Sequence, residues 1–273
     1  MTVEAKPAPA GGGTARRTLT ALVGIPLFLV PLYLGEWVWT ILLVIIALLG
    51  AWEWIALTRT AGLVPAPAVV FPGTVLIYGS AVFRPDLLAG AVALLAMTAL
   101  LAQLRPAGRS QAPANAGVTA LGPLYLSLFA ALDLLRRIPH SGLAWTILVV
   151  ISIWVADSAA YFGGRTFGRN LLAPVVSPKK TWEGVISGEA GGIAGALVAA
   201  LVFHLPLGPA AAVGALSATV GLLGDLSKSA IKRAVGVKDS GTILPGHGGV
   251  IDRFDTMLFV APVAYALLVW LLR

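Results

Sequence analysis

The sequence predicts an all-α, polytopic integral membrane protein, and three observations carry that prediction. Of the 273 residues, 58% are hydrophobic and 11% charged, and the mean hydropathy is +0.90; soluble domains carry about 25% charged residues. Apolar runs of roughly the 20 residues needed to cross a bilayer recur along the chain. The basic residues sit in the short segments between those runs. Such a chain buries its apolar surface against lipid and neighbouring helices, not in one water-excluding core. It holds no cysteine, so neither disulfides nor thiolate metal sites are available. The formal charge of +7 lies in the loops, which fits membrane orientation and contact with anionic head groups or phosphates and points away from nucleic acid.

Residues 1–15, MTVEAKPAPAGGGTA, are rich in Ala, Pro and Gly and read as a disordered tail. Arg16 and Arg17 then precede a first apolar run that ends in VPLYLGEW without a small-x-small cleavage site, so it reads as a retained span. Nine helices are predicted in all, over 18–34, 37–57, 64–83, 87–104, 117–135, 142–162, 184–204, 208–227 and 254–272. Pro65, Pro67 and Pro72 interrupt or border the third, and Pro123 the fifth. Residues 16–140 form an N-terminal set of helices, and residues 141–273 a C-terminal catalytic region with polar loops.

The positive-inside rule tests the count. With the N-terminus cytoplasmic, 15 of the 19 Lys and Arg residues fall on the inner side, and only Arg84, Arg136, Arg137 and Arg273 fall outside. Arg136 and Arg137 are the discordant pair and point to a boundary error near the fifth helix. Trp37, Trp39, Trp145, Trp182 and Trp270 flank spans and read as interfacial anchors. Gly188, Gly192 and Gly195 give the small-residue spacing of close helix packing.

The acids are not spread evenly. Seven of twelve lie between 157 and 255, with nine Lys or Arg in the same stretch. The topology brings Asp157, Glu183, Asp225 and Asp252 to one depth, at the cytoplasmic ends of four spans, where ionisable groups are costly and usually functional. Asp225, Ser229 and Lys232 fall at i, i+4 and i+7 on one helical face, with Lys228 beside it. That helix continues past its apolar part to end near Gly236. The loop that follows, with glycines at 246, 248 and 249, allows backbone amides to approach an anion. Upstream, SPKKTWEG (177–184) reads as a polar loop: Ser177 or Thr181 suits a helix cap, Glu183 the first turn, and Lys179 and Lys180 an anion at the helix start.

Carboxylates without thiolates suit Mg²⁺, and Mg²⁺ with many cations suits a polyphosphate. No GxxxxGK[ST] motif is present, so a P-loop is excluded. His247 can serve as metal ligand, phosphate contact or loop-ordering residue, and its glycine-rich setting favours the last two. His140 and His204 lie at predicted outer ends. Ion pairing at helix ends is the purely structural alternative for the carboxylates.

The segment SAIKRAVGVKDSGTILPGHGGVIDRFD, residues 229–255, resembles the signature of the CDP-diacylglycerol synthase (phosphatidate cytidylyltransferase) family at every constrained position. DSAAYFGGRTFGR (157–169) and SPKKTWEG are similar to a second block of that family, so the resemblance covers about 157–255. It implies transfer of CMP from CTP to phosphatidic acid, giving CDP-diacylglycerol and pyrophosphate in phospholipid biosynthesis, in a multi-pass homodimer of the cell membrane whose active site faces the cytoplasm. Carried onto this chain, Asp225 and Asp252 become metal ligands, with Asp255 or Asp157 completing the Mg²⁺ site and room for a second monovalent or divalent cation. Lys228, Lys232, Arg233 and Lys238, with Ser229 on the same helix, bind triphosphate or lipid phosphate. His247, Gly248 and Gly249 shape a phosphate loop, and Arg253 holds the lipid phosphate. Lys179 and Lys180 make a second phosphate contact, ordered by Ser177 and Glu183.

Two rival readings have distinct signatures. A transporter places its charges at the bilayer midplane, often in repeated halves, whereas these crowd one edge and no repeat is visible. A CTP-dependent polyprenol kinase would move the γ-phosphoryl group instead of the nucleotidyl group.

Overall fold

A computed structural model describes residues 13–104, 111–237, 239–241, 243 and 248–272, with residues 13–21 as backbone only. The expected tail at 1–15 lies almost wholly outside the described residues. Nine helical segments are described: α1 Gly13–Leu34, α2 Glu36–Thr60, α3 Pro67–Phe83, α4 Pro85–Leu104, α5 Ala112–Arg136, α6 Gly142–Phe167, α7 Trp182–Phe203, α8 Leu207–Ala234 and α9 Val250–Leu271. Each corresponds to one predicted span. Seven are long and apolar enough to cross a membrane; α1, whose apolar stretch is Leu22–Leu34, and α3 are shorter. The protein is a multi-pass membrane protein.

One element departs from the all-α expectation. β1 Leu171–Ala173 and β2 Ser177–Thr181 pair antiparallel in a small hairpin between α6 and α7. SPKKT therefore extends as a strand and does not loop freely.

The two sets of helices pack against each other. One buried cluster draws Leu32, Trp39 and Leu132 from the first half and Leu148, Val213 and Leu258 from the second. Trp39 and Trp145 belong to this core, at 0% and 1% exposure, and are not interfacial anchors. Two residues along a helix is a turn of about 200°, so Trp37 faces outward and Trp39 inward. Trp37, Trp182 and Trp270 are exposed, as an anchor belt requires.

The glycines of α7 let three helices meet closely. A methyl group at Gly192 would stand 2.6 Å from the Gly214 carbonyl of α8, and one at Gly195 2.9 Å from Val155 of α6.

Arg136 and Arg137 need no boundary error. Asp133, fully buried on α5, accepts hydrogen bonds from Thr40 Oγ (2.6 Å), the Tyr78 hydroxyl (3.1 Å) and Arg137 Nε (3.0 Å). Arg137 also pairs with Glu36 at 3.1 Å and lies over the Trp37 and Phe83 rings. Arg136 donates to the Leu32 carbonyl at 3.2 Å. Arg137 is thus neutralised locally, which removes it from any simple count of loop charge.

Candidate active site

α8 begins in Leu207 and runs for 28 residues, so its last three turns outlast its apolar stretch and carry Asp225, Lys228, Ser229 and Lys232. Beyond it, the amides of Gly236 and Val237 donate to the Arg233 and Lys232 carbonyls, and Gly236 adopts φ +73°, the left-handed stop that glycine supplies most easily. The helix ends where the sequence predicts.

Lys228, placed beside the active face by spacing alone, is instead the centre of the cluster. Its ammonium lies 3.2 Å from Asp225 Oδ1, 3.9 Å from Asp252 Oδ1 and in direct contact with Asp255 Oδ2. Lys180, from β2, reaches the other oxygen of Asp225 at 2.7 Å, and Lys232 holds Asp252 Oδ1 at 2.6 Å. Asp157, on α6, lies in the electric field of Lys180, Asp225, Lys228 and Asp255. Three elements distant in sequence, β2, α8 and α9, therefore supply one lattice of three aspartates and three lysines, and Asp157 of α6 lines the cavity beside it. The Lys228 and Asp255 side chains are only 10% and 7% exposed, so water screens their attraction weakly.

Asp252 has a second task. It is the third residue of α9, and its Oδ2 accepts from the amides of Ser240 (2.7 Å) and Gly249 (3.2 Å) and from Ser240 Oγ (3.0 Å). Ser240 and Gly249 are thereby tied to the start of α9. The Gly249 amide donates to this carboxylate and not outward to a phosphate. Gly248, at φ +81°, makes the turn. Asp255, one helical turn on, shares the face of Asp252.

One residue of this region escaped the sequence reading. Glu53, on α2, accepts from the amides of Val250 (2.8 Å) and Ile251 (2.9 Å) at the first turn of α9. The available signal was a lone acid inside the second apolar run, in AWEWIAL.

The hairpin forms the other wall. Thr181 caps α7, its Oγ accepting from the Gly184 amide at 3.2 Å. Glu183 accepts from the Arg169 amide (3.1 Å) and the Asn170 side chain (2.7 Å), which orders the turn into β1. Between hairpin, α6, α7 and α8 lies a cavity of about 570 Å³, lined by Asp157, Arg165, Ser177, Lys179 and Lys180 and, deeper in the bundle, by Leu222. Arg233 and Arg253 are exposed, and Ser229 is half-buried. Lys238 and His247 lie outside the described residues. Of the remaining acids, Glu189 bonds Thr219 away from this cluster, and Asp239 is exposed.

The donors are hard oxygens with intervening ammonium groups. Among the described residues no three His, Asp or Glu side chains converge as a ready-made metal cage. A site that offers one or two carboxylates and leaves the other positions to phosphate oxygens and water is the usual arrangement for Mg²⁺.

Comparison with known proteins gives this arrangement a family. The model of the cytidylyltransferase family matches residues 15–271. The phosphatidate cytidylyltransferase of Pseudomonas aeruginosa is 38% identical over 272 residues, covering 93% of this chain and 96% of that protein. The Synechocystis protein of the same name is 31% identical over 287 residues, covering 94% and 97%. That of Bacillus subtilis is 42% identical over 159 residues, where the match takes in 56% of this chain and 58% of the relative.

Proposed function

The chain belongs to the cytidylyltransferase family, and from that premise we propose that it is a phosphatidate cytidylyltransferase, moving CMP from CTP to phosphatidic acid. A phosphate oxygen of the lipid attacks the α-phosphorus of CTP, the new P–O bond forms, and the bond to the β-phosphate oxygen breaks to release pyrophosphate. The nucleophile is already an anion, so the barrier lies mainly in bringing two polyanions together in line.

The observation that carries this reading is the lattice joining Lys180, Asp225, Lys228, Asp252 and Asp255 beside the cavity. Lys179, Lys180 and Arg165 line the cavity and supply positive charge to the triphosphate. Lys228 and Lys232 draw the aspartates together and neutralise them. Three aspartates against three lysines leave the ion-paired lattice close to neutral, so most of a triphosphate's charge is left for cavity cations and bound metal to answer. Divalent cations would add to that positive charge, and Asp157, which lines the cavity, with Asp225 and Asp255 of the adjoining lattice, would hold them. Bound Mg²⁺ supplies charge neutralisation of attacking and leaving oxygens. Asp252 has one oxygen committed to the loop, so it contributes at most its other one.

The site faces the cytoplasm of the cell membrane, on the side where the positive-inside rule places most basic residues. The cysteine-free chain makes this checkable: a single cysteine at Lys179 should react with an impermeant thiol reagent only from the cytoplasmic side, and one at Arg84 only from outside. A homodimer, implied by resemblance, should appear as a two-chain mass in native mass spectrometry.

CTP labelled on either the α- or γ-phosphate decides the reaction. With phosphatidic acid, label from the α position should enter the lipid and label from the γ position should leave in pyrophosphate. Entry of γ-label into lipid would assign kinase chemistry and sink the proposal.

A further inference from the structure

Glu53 lies on α2, nearly two hundred residues before the signature in sequence, and no step of the transfer uses it. It is 2% exposed. Among the described residues no lysine, arginine or histidine pairs with it. Its partners are instead the Val250 and Ile251 amides, at 2.8 and 2.9 Å, and Ser240 Oγ at 3.4 Å. Those two amides are among the donors that the first turn of any helix leaves without an internal partner. The positive end of the helix dipole also favours a carboxylate there. The fit is tight on the loop side, since a methyl group at Gly241 would stand 2.6 Å from Glu53 Oε1.

This contact fixes more than the end of a helix. Ser240 bonds Glu53 and Asp252 together, and Asp252 in turn holds Lys232. Each residue of an α-helix turns by about 100°. A shift of α9 by one residue in register would therefore swing Asp252 and Asp255 away from Lys228. By bonding residues 250 and 251, Glu53 sets the first turn and thus the direction in which both aspartates point. Ala51, Trp54 and Ile55 pack with Ile251 in a buried cluster, so α2 holds Glu53 on a rigid support.

We propose that Glu53 is a positioning residue for the transfer reaction, an anchor from the N-terminal helices that fixes the first turn of α9 through its backbone amides and Ser240 of the signature through its hydroxyl. Its effect on turnover rests on the cytidylyltransferase reading, but its effect on the loop does not. The test uses the full chain purified in detergent, as wild type, Glu53→Ala and Glu53→Gln. Hydrogen exchange across 240–255 should quicken by about tenfold or more in Glu53→Ala, while exchange across α6 and α7 stays as in wild type. The kcat for α-label transfer should fall by about tenfold to a hundredfold, as small misplacements of catalytic groups do, with the KM for CTP changed far less. Formate, a carboxylate small enough for the vacated space, should recover part of the lost kcat in Glu53→Ala and none in Asp252→Asn.

Unchanged exchange across 240–255 overturns the proposal even where turnover falls, and so does a kcat equal to wild type or a failure of formate to recover it. If Glu53→Ala is not obtained folded, Glu53→Gln carries the exchange and kcat criteria, because it keeps the side-chain volume but only one acceptor oxygen. A wild-type protein that transfers no α-label refutes the activity reading, and the exchange result then still decides the role of Glu53.

Discussion

Replacing Lys228 with methionine keeps the length of the side chain and removes only the ammonium group at the centre of the lattice. At an effective dielectric constant near 20, unit charges at the observed 3.2 and 3.9 Å attract by about 5 and 4 kcal/mol before the cost of dehydrating the lysine. The three acids do not lose equally. Asp225 keeps Lys180 at 2.7 Å and Asp252 keeps Lys232 at 2.6 Å, whereas Asp255 has Lys228 as its one ion-pair partner among the described residues. Leaving one buried charge uncompensated costs about 3–5 kcal/mol. For a chain of this size that corresponds to a fall in Tm of roughly 10 °C. Thermal unfolding in detergent, followed through the intrinsic fluorescence of the eight tryptophans, measures it. Adding Asp255→Asn to Lys228→Met should raise Tm above that of Lys228→Met alone, because it removes the stranded charge, with a coupling of about 1–3 kcal/mol between the two sites. A Lys228→Met protein that melts within a degree of wild type, or a double variant no more stable than Lys228→Met, would refute the claim that this ammonium holds the buried carboxylates.

Three further outcomes are expected. Asp225→Asn and Asp252→Asn should each lower turnover at least about a hundredfold, near 3 kcal/mol of barrier, while the protein stays folded by circular dichroism; near-normal turnover in either removes that residue from the chemistry. Chelation of divalent cations should abolish α-label transfer and added Mg²⁺ should restore it, so transfer that persists in excess chelator argues against the hard-oxygen metal site. Asp133→Asn should lower stability by about 3 kcal/mol, since Arg137 loses its buried counter-charge and one of the two acceptor oxygens becomes an amide donor. In the same variant the KM for CTP should not move, because this network lies outside the lattice; a large change in KM would show that the two are linked.

The spans were legible because bilayer thickness imposes a run length that each apolar stretch displays. The region of the site was legible because charge is rare in this chain and clusters where it is needed. What the sequence hid was side-chain direction. Lys228 sits at i+3 from Asp225 and was set beside the face chosen at i+4 and i+7, yet three acids converge on it because Asp252 and Asp255 arrive from another helix. The hairpin was hidden because strands of three and five residues are too short for an alternating pattern, and SPKKT carries none. Trp39 and Trp145 look like boundary residues in a linear count and differ from Trp37 only in the side of the helix they occupy. Glu53 was hidden for a different reason: its partners are backbone amides, which leave no trace in residue identities.

Leu222, a helical turn before Asp225 on α8, lines the same cavity as Arg165, Lys179 and Lys180, so apolar and cationic side chains meet in one space. A substrate that seats a phosphate among those cations while its acyl chains stay in the apolar phase would arrive by lateral diffusion. Its effective concentration is then a mole fraction in two dimensions, and diluting the micelles with inert detergent at fixed total lipid should slow the reaction although nothing in the aqueous phase has changed.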